Sequence, residues 1–197
     1  MKCERIPLGA QGAYLDTYFL ADSPELKAGA CRPAVVVCPG GGYAYTSDRE
    51  AEPIALALCA RGFHACVLRY PCAPARFPAA LRALAEAVAW VRAGAAENHV
   101  DPRQISVCGF SAGGHLAGSL GVFWNAPFLA AETGLAPQDM RPDKMVLCYP
   151  VITGGEFAHK GSFDNLLGAD ADAARRAEVS LEQHVTANTP PAFLWHT

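Results

Sequence analysis

The chain has 197 residues, 51% of them hydrophobic and 18% charged, and 16 basic against 19 acidic side chains give it a formal charge of -3. That composition describes one globular domain with a sizeable core and excludes a disordered or repetitive chain. The densest basic spot is Arg175-Arg176, so the footprint that nucleic acid or an anionic membrane surface requires is absent.

Met1 to Gln11 carries Lys2, Glu4 and Arg5 and lacks the apolar run of a signal peptide, and no stretch holds the roughly 18 unbroken apolar residues of a membrane span. The chain reads as cytoplasmic. Its eight cysteines contain no CxxC pair and are expected as reduced core thiols.

In chain order, Ala34 to Cys38 (AVVVC) is a continuous buried-strand pattern, followed by a glycine-rich turn. Glu50 to Arg61 reads as a helix, with Ser47 and Glu50 as a capping box, Pro53 in the first turn and Gly62 as the C-terminal cap. Phe63 to Tyr70 is the next strand. Ala79 to Glu97 is the clearest amphipathic helix, with Leu81, Leu84, Val88 and Val91 on one face and Arg82 with Glu86 as an i,i+4 pair. Trp90 lies off that face, and the pattern does not explain it.

Asp101-Pro102 turns into a short strand, Ile105 to Cys108, and Ala112 to Leu120 is helical in pattern. Met145 to Tyr149 and Ala192 to His196 complete the strands. Strands separated by helices predict an α/β architecture, a mostly parallel central sheet flanked by helices on both faces. At about 30 residues per strand-helix unit, the length holds roughly six units, within a single domain, 1-197. The segment 153-190 has no strand pattern, only a short helical stretch near Asp172 to Val179, and is expected as an excursion over the sheet edge.

Gly109-Phe110-Ser111-Ala112-Gly113 is a GxSxG sequence placed between a strand and a helix, the setting of a nucleophile elbow with Ser111 exposed at the carboxyl end of the sheet. Pro39-Gly40-Gly41-Gly42-Tyr43 directly follows the Ala34 strand, and its main chain can approach a developing oxyanion closely. One such N-H donor is worth about 3 to 4 kcal/mol in a transition state. Neither GxGxxG nor GxxxxGK[ST] fits that loop, which disfavours a phosphate cradle.

His115 reads as a packing or hydrogen-bonded residue, His64 and His196 as satisfied core residues, and His99, His159 and His184 as surface or loop residues. No two have metal-ligand spacing, and neither metal nor cofactor is expected. Asp48 and Glu50 read as helix-start charges.

PGGGY at Pro39, SDRE at Ser47, GFSAGGHLAG at Gly109 and TPPAFLWHT at Thr189 together resemble the α/β-hydrolase superfamily, close to its hormone-sensitive-lipase-like and acetyl-xylan-esterase-like bacterial esterases. The resemblance implies Ser111 as nucleophile and the backbone N-H groups of Gly41, Gly42 and Ala112 as oxyanion donors. It implies a short acyl ester as substrate, often acetyl on a carbohydrate, with Tyr43 bordering the pocket and the excursion supplying part of its wall. Phe123 and Trp124 fall either in the apolar lining or in the core.

In such enzymes an acid and then a histidine follow the serine in chain order. Both are expected beyond Thr197, together with the last strand and helix, which makes this chain an incomplete and nearly inactive piece of a serine esterase. Glu156 or Asp164 with His159 or His184 is the in-chain substitute. The alternative is a non-catalytic module that binds a small ester, a sugar or a partner protein. Two physical expectations accompany this reading. Ala192 to His196 would form an exposed apolar edge open to homodimer pairing, and Cys38, Cys66, Cys108 and Cys148 would form one thiol layer beneath Ser111.

Overall fold

The valine run at Val35 to Val37 lies in the middle of a seven-stranded sheet and is buried on both faces, as a run without polar alternation requires. The computed structural model describes residues 1–9 and 12–196. Its strands are β1 (Lys2–Pro7), β2 (Tyr14–Phe19), β3 (Arg32–Cys38), β4 (His64–Arg69), β5 (Val100–Phe110), β6 (Lys144–Cys148) and β7 (Ala192–Trp195). They pair in the order β1-β2-β4-β3-β5-β6-β7. The pairs β1-β2 and β2-β4 are antiparallel, and all others are parallel.

The helices are α1 (Pro24–Lys27), α2 (Glu52–Cys59), α3 (Ala79–Ala93), α4 (Ala112–Phe123), α5 (Pro127–Thr133), α6 (Pro137–Met140), α7 (Lys160–Leu167) and α8 (Ala173–Ala177). One sheet face packs Val35, Val37, Ala65 and Val67 against Ala51, Ala55 and Cys59 of the α2 region. The other packs Val36, Leu68 and Val107 against α3 and α4. Parallel neighbours need crossovers, and α2, α3 and α4 supply them between β3, β4, β5 and β6. The expected α/β architecture with helices on both faces is the one observed.

An N-terminal hairpin precedes the first strand read from the sequence. In β2, Leu15, Thr17 and Phe19 are buried while the residues between them are partly exposed, a period-2 alternation of a half-covered strand. This hairpin accounts for Trp90, whose ring stacks on Phe19 at 6.4 Å and 11°.

Helix α2 starts later than expected. A 3-10 turn, Asp48–Glu50, comes first, and Ala51 breaks the helical path with φ -108 and ψ -109. The Ser47 side chain makes no capping hydrogen bond, so the expected capping box is absent. Helix α3 ends at Ala93, before Gly94.

The segment 153-190 carries α7, α8 and a 3-10 turn at Leu181–Gln183. It inserts Phe163, Leu166, Val179 and Leu181 into the core, with the Phe163 ring 5.5 Å from that of His115 and Leu181 lying over Gly118 of α4. Phe163 is 1% exposed; its burial explains why the segment docks.

All eight cysteines are free, but the four strand cysteines do not form one layer. Cys38 is level with Gly109, one residue beyond Cys108, so alternation sends the two side chains to opposite faces. Cys38 and Cys66 join the core on the α3 side, and Cys108 joins the α2 side.

Strand β7 is an edge strand with Phe193, Leu194 and Trp195 exposed by 64%, 57% and 46%. Exposed apolar edges template pairing with other chains. Sedimentation of this chain is expected to show self-association that Phe193→Lys reduces; concentration-independent monomers in both would contradict this.

Candidate active site

Strand β5 runs straight into α4 through Ser111, which sits at φ 53 and ψ -119. A non-glycine residue pays for a positive φ, and three main-chain bonds hold it there. Ser111 N-H donates to Cys148 O at 3.1 Å, and Ser111 O accepts from His115 N at 3.1 Å and from Val151 N at 3.0 Å. The turn also needs Gly113, because a Cβ there would sit on the carbonyl oxygens of Cys38 and Pro39. The end of β3, and with it the glycine loop, therefore lies directly against the start of α4.

That loop is pinned at several points. Tyr70 Oη donates to Pro39 O at 2.5 Å, Asn165 Nδ2 to Gly42 O at 2.9 Å, and Gly40 N-H to Glu50 Oε2 at 2.7 Å. Gly41, at φ 134, turns back under Tyr45, whose carbonyl leaves no room for a Cβ. Among the described residues, no acceptor takes the N-H groups of Gly41, Gly42 or Ala112. Three donors thus remain unspent at the end of the sheet, one of them at the positive end of α4.

Ser111 is partly exposed and opens onto a pocket of about 330 Å³ lined by Tyr149, Ile152, Thr153, Phe157, His159 and His196. Phe157 is 87% exposed. The excursion does contribute wall, through Phe157 and His159. Tyr149 stands at φ 36, its hydroxyl donating to Glu50 Oε1 at 2.9 Å. Burial, with Glu50 alongside, pushes its phenol up to about 12.

Two expected lining residues are not in this pocket. Tyr43 is 3% exposed, and its hydroxyl donates inward to His115 Nδ1 at 2.8 Å. Trp124 caps the far end of the 12-residue α4, about 18 Å along the axis from Ser111, with Nε1 donating to Asn188 O at 3.1 Å. Phe123 packs with Phe77, Phe128 and His184.

The histidines divide differently from expectation in two cases. His64 is a core residue, its Nδ1 accepting from Leu20 N at 3.0 Å. His196 is exposed and borders the Ser111 pocket, just past β7, the last strand in the order of the described sheet. His184 is half-buried against Phe123 at 4.7 Å rather than on the surface. Of the in-chain acid and base candidates, Asp164 pairs with Arg176 at 2.6 Å. His159 does border the pocket, with Nδ1 against Ser162 Oγ at 2.9 Å.

His115 is fully enclosed. Nε2-H donates to Val179 O at 2.8 Å, which fixes Nδ1 as the acceptor for Tyr43. Burial brings its pKa down from 6.5 to about 4. The neutral ring is the native form, so this site leaves stability intact above pH 6.5. As pH falls from 6.5 to about 4, the unfolded chain takes up a proton that the native one refuses. The loss is on the order of 3 kcal/mol. Urea unfolding at pH 7.5 and pH 4.5 is expected to show the fall, and His115→Asn to flatten it; equal slopes would contradict the assignment.

Glu50 is the site residue that sequence reasoning missed. It reads as a helix-start charge, yet it braces both the glycine loop and Tyr149. Its separation by 99 residues from Tyr149 left no local signal. Among the described residues no group of three or more His, Cys, Asp or Glu side chains could hold a metal ion. No described helix is long and apolar enough to cross a membrane.

A mostly parallel sheet whose central strand enters a helix through a positive-φ serine, with a glycine loop alongside, defines the α/β-hydrolase class. The BD-FAE family model matches residues 22–197, and the chain belongs to that family. It is 36% identical over 175 residues to an endo-1,4-beta-xylanase B of Butyrivibrio fibrisolvens, an alignment that covers 84% of this chain and 27% of that protein. It is 28% identical over 186 residues to an acetylxylan esterase of Xylanibacter ruminicola, covering 89% and 34% respectively. An acetyl ester-xyloside bifunctional hydrolase from Caldicellulosiruptor lactoaceticus superposes with a TM-score of 0.83 at 35% identity, over 98% of this chain and 74% of that one. The carboxylesterase Cest-2923 from Lactobacillus plantarum superposes with a TM-score of 0.83 at 30% identity, over 99% and 71%. The chain thus spans about a quarter to a third of these curated relatives.

Proposed function

We propose that the chain carries the nucleophile and oxyanion half of a serine esterase for short acyl esters, acetyl groups on carbohydrate among them. The observation that carries this reading is Ser111 at φ 53, placed beside a glycine loop with the Gly41, Gly42 and Ala112 amides unspent. In the reaction, Ser111 Oγ attacks the acyl carbonyl and passes its proton to a base. The three amides stabilise the oxyanion, the alcohol leaves with that proton, and water releases the acid from the acyl-serine.

The esterase names of the relatives support ester chemistry, and the xylan names support a carbohydrate alcohol. The pocket beside Ser111, about 330 Å³ in volume, lies at the small end of the range for ligand pockets and suits a small ester.

The test compares p-nitrophenyl acetate, butyrate and octanoate as substrates. The protein is expected to prefer acetate and to be inactivated by an alkyl phosphonate that labels the peptide containing Ser111. Binding of esters or sugars with neither turnover nor labelling would favour the non-catalytic module instead.

A further inference from the structure

We propose that Glu50 is the positioning residue of the glycine loop, its two carboxylate oxygens tying the Gly40 amide and the Tyr149 hydroxyl into one frame around Ser111. The inference rests on the esterase reading above and adds a residue to it.

Glu50 sits on the 3-10 turn that returns the chain to the loop, a turn held by Ser47 N-H donating to Gly40 O at 2.9 Å. Its carboxylate takes the Gly40 N-H at 2.7 Å and the Tyr149 O-H at 2.9 Å. Hydrogen bonds to a charged acceptor are roughly twice as strong as neutral ones. Gly40 is wedged in place: a Cβ there would lie 2.7 Å from Glu50 Oε2, 2.8 Å from Phe110 O and 3.1 Å from Ser111 Cβ.

Consuming the Gly40 amide fixes the plane from which the Gly41 and Gly42 amides project. The second arm holds Tyr149, a pocket residue at φ 36 whose ring also rests on Phe110 at 5.9 Å and Trp195 at 5.5 Å. One side chain thereby sets the distance between the oxyanion donors and the opposite wall. Catalysis is sensitive to this, since a misplacement of about 1 Å costs about a hundredfold in rate.

Glutamine can preserve the frame, its carbonyl oxygen taking the Gly40 amide and its NH₂ group donating to the Tyr149 hydroxyl, whereas alanine removes both arms. The decisive measurement is amide exchange at Gly40 by NMR in this chain. Glu50→Ala is expected to speed it by about tenfold or more, the size of a lost charge-assisted bond, with β3 amides unchanged. Glu50→Gln is expected to stay within about threefold of the parent on the same scale. Unchanged exchange in Glu50→Ala, or equal exchange in Ala and Gln variants, would overturn the proposal.

Tyr149→Phe frees one arm without opening a cavity and keeps the test available should Glu50→Ala not fold. It is expected to speed Gly40 exchange a few-fold, and no change would refute the coupling of the two walls. In an ester-hydrolysing form of the protein, Glu50→Ala should lower kcat about tenfold or more at nearly constant KM, with Glu50→Gln recovering most of it; a change confined to KM would count against the role. If no form hydrolyses esters, the exchange data still decide the clamp, and only the esterase reading fails.

Discussion

Replacing Ser111 with alanine is expected to lower p-nitrophenyl acetate hydrolysis by at least about a thousandfold in an active form of the protein, because the oxyanion amides and binding alone retain only a small part of a serine hydrolase's rate. Activity within tenfold of the parent would remove Ser111 from the mechanism. The companion Ser111→Gly variant separates chemistry from folding. Ser111 occupies φ 53, where glycine is not penalised, so that variant is expected to be equally inactive yet more stable by about 1 kcal/mol. A site residue that destabilises its own fold is the usual trade between activity and stability.

Gly113→Ala is expected to destabilise the fold by about 3 kcal/mol or more in urea melts. The added carbon would overlap the Cys38 and Pro39 carbonyl oxygens, and main chain at the end of a central strand cannot swing aside as a flexible side chain would. Gly161→Ala is the control. Gly161 is exposed in α7, and the nearest atom to its added carbon is His159 Cε1 at 3.9 Å. There alanine is expected to stabilise by up to about 1 kcal/mol through helix propensity alone. Similar losses at both positions would show that Gly113 is not a packing constraint.

The parts of the fold that could be read from residues alone are those in which local pattern and tertiary demand agree. The valines of β3, the α3 stripe and the strand-Ser-helix passage at Gly109 to Gly113 each state their burial in periodicity. The β1-β2 hairpin did not, because its polar residues face solvent and dilute the apolar signal, although Leu15, Thr17 and Phe19 alternate cleanly. Tyr43 and Trp124 are aromatic and close in sequence to the motifs, a pattern that suits a pocket wall as well as a core. Their polar atoms decide otherwise, since Tyr43 finds His115 and Trp124 finds the Asn188 carbonyl. Glu50 differs for the opposite reason: a carboxylate three residues after a serine has a local meaning, and a long-range partner overrides it.

The docking of the 153-190 segment has a consequence for which residues are free to vary. Phe77 N-H reaches the segment at Leu166 O, His115 Nε2 at Val179 O, and Leu181 N-H closes on Ile152 O. Every one of these acceptors is a main-chain carbonyl, which any amino acid supplies. The attachment is therefore indifferent to side-chain identity at the acceptor positions, beyond the apolar anchors such as Phe163. Phe157, which faces the pocket and is largely exposed, can be exchanged without loosening the segment. The pocket wall can thus change shape while the scaffold beneath Ser111 stays the same.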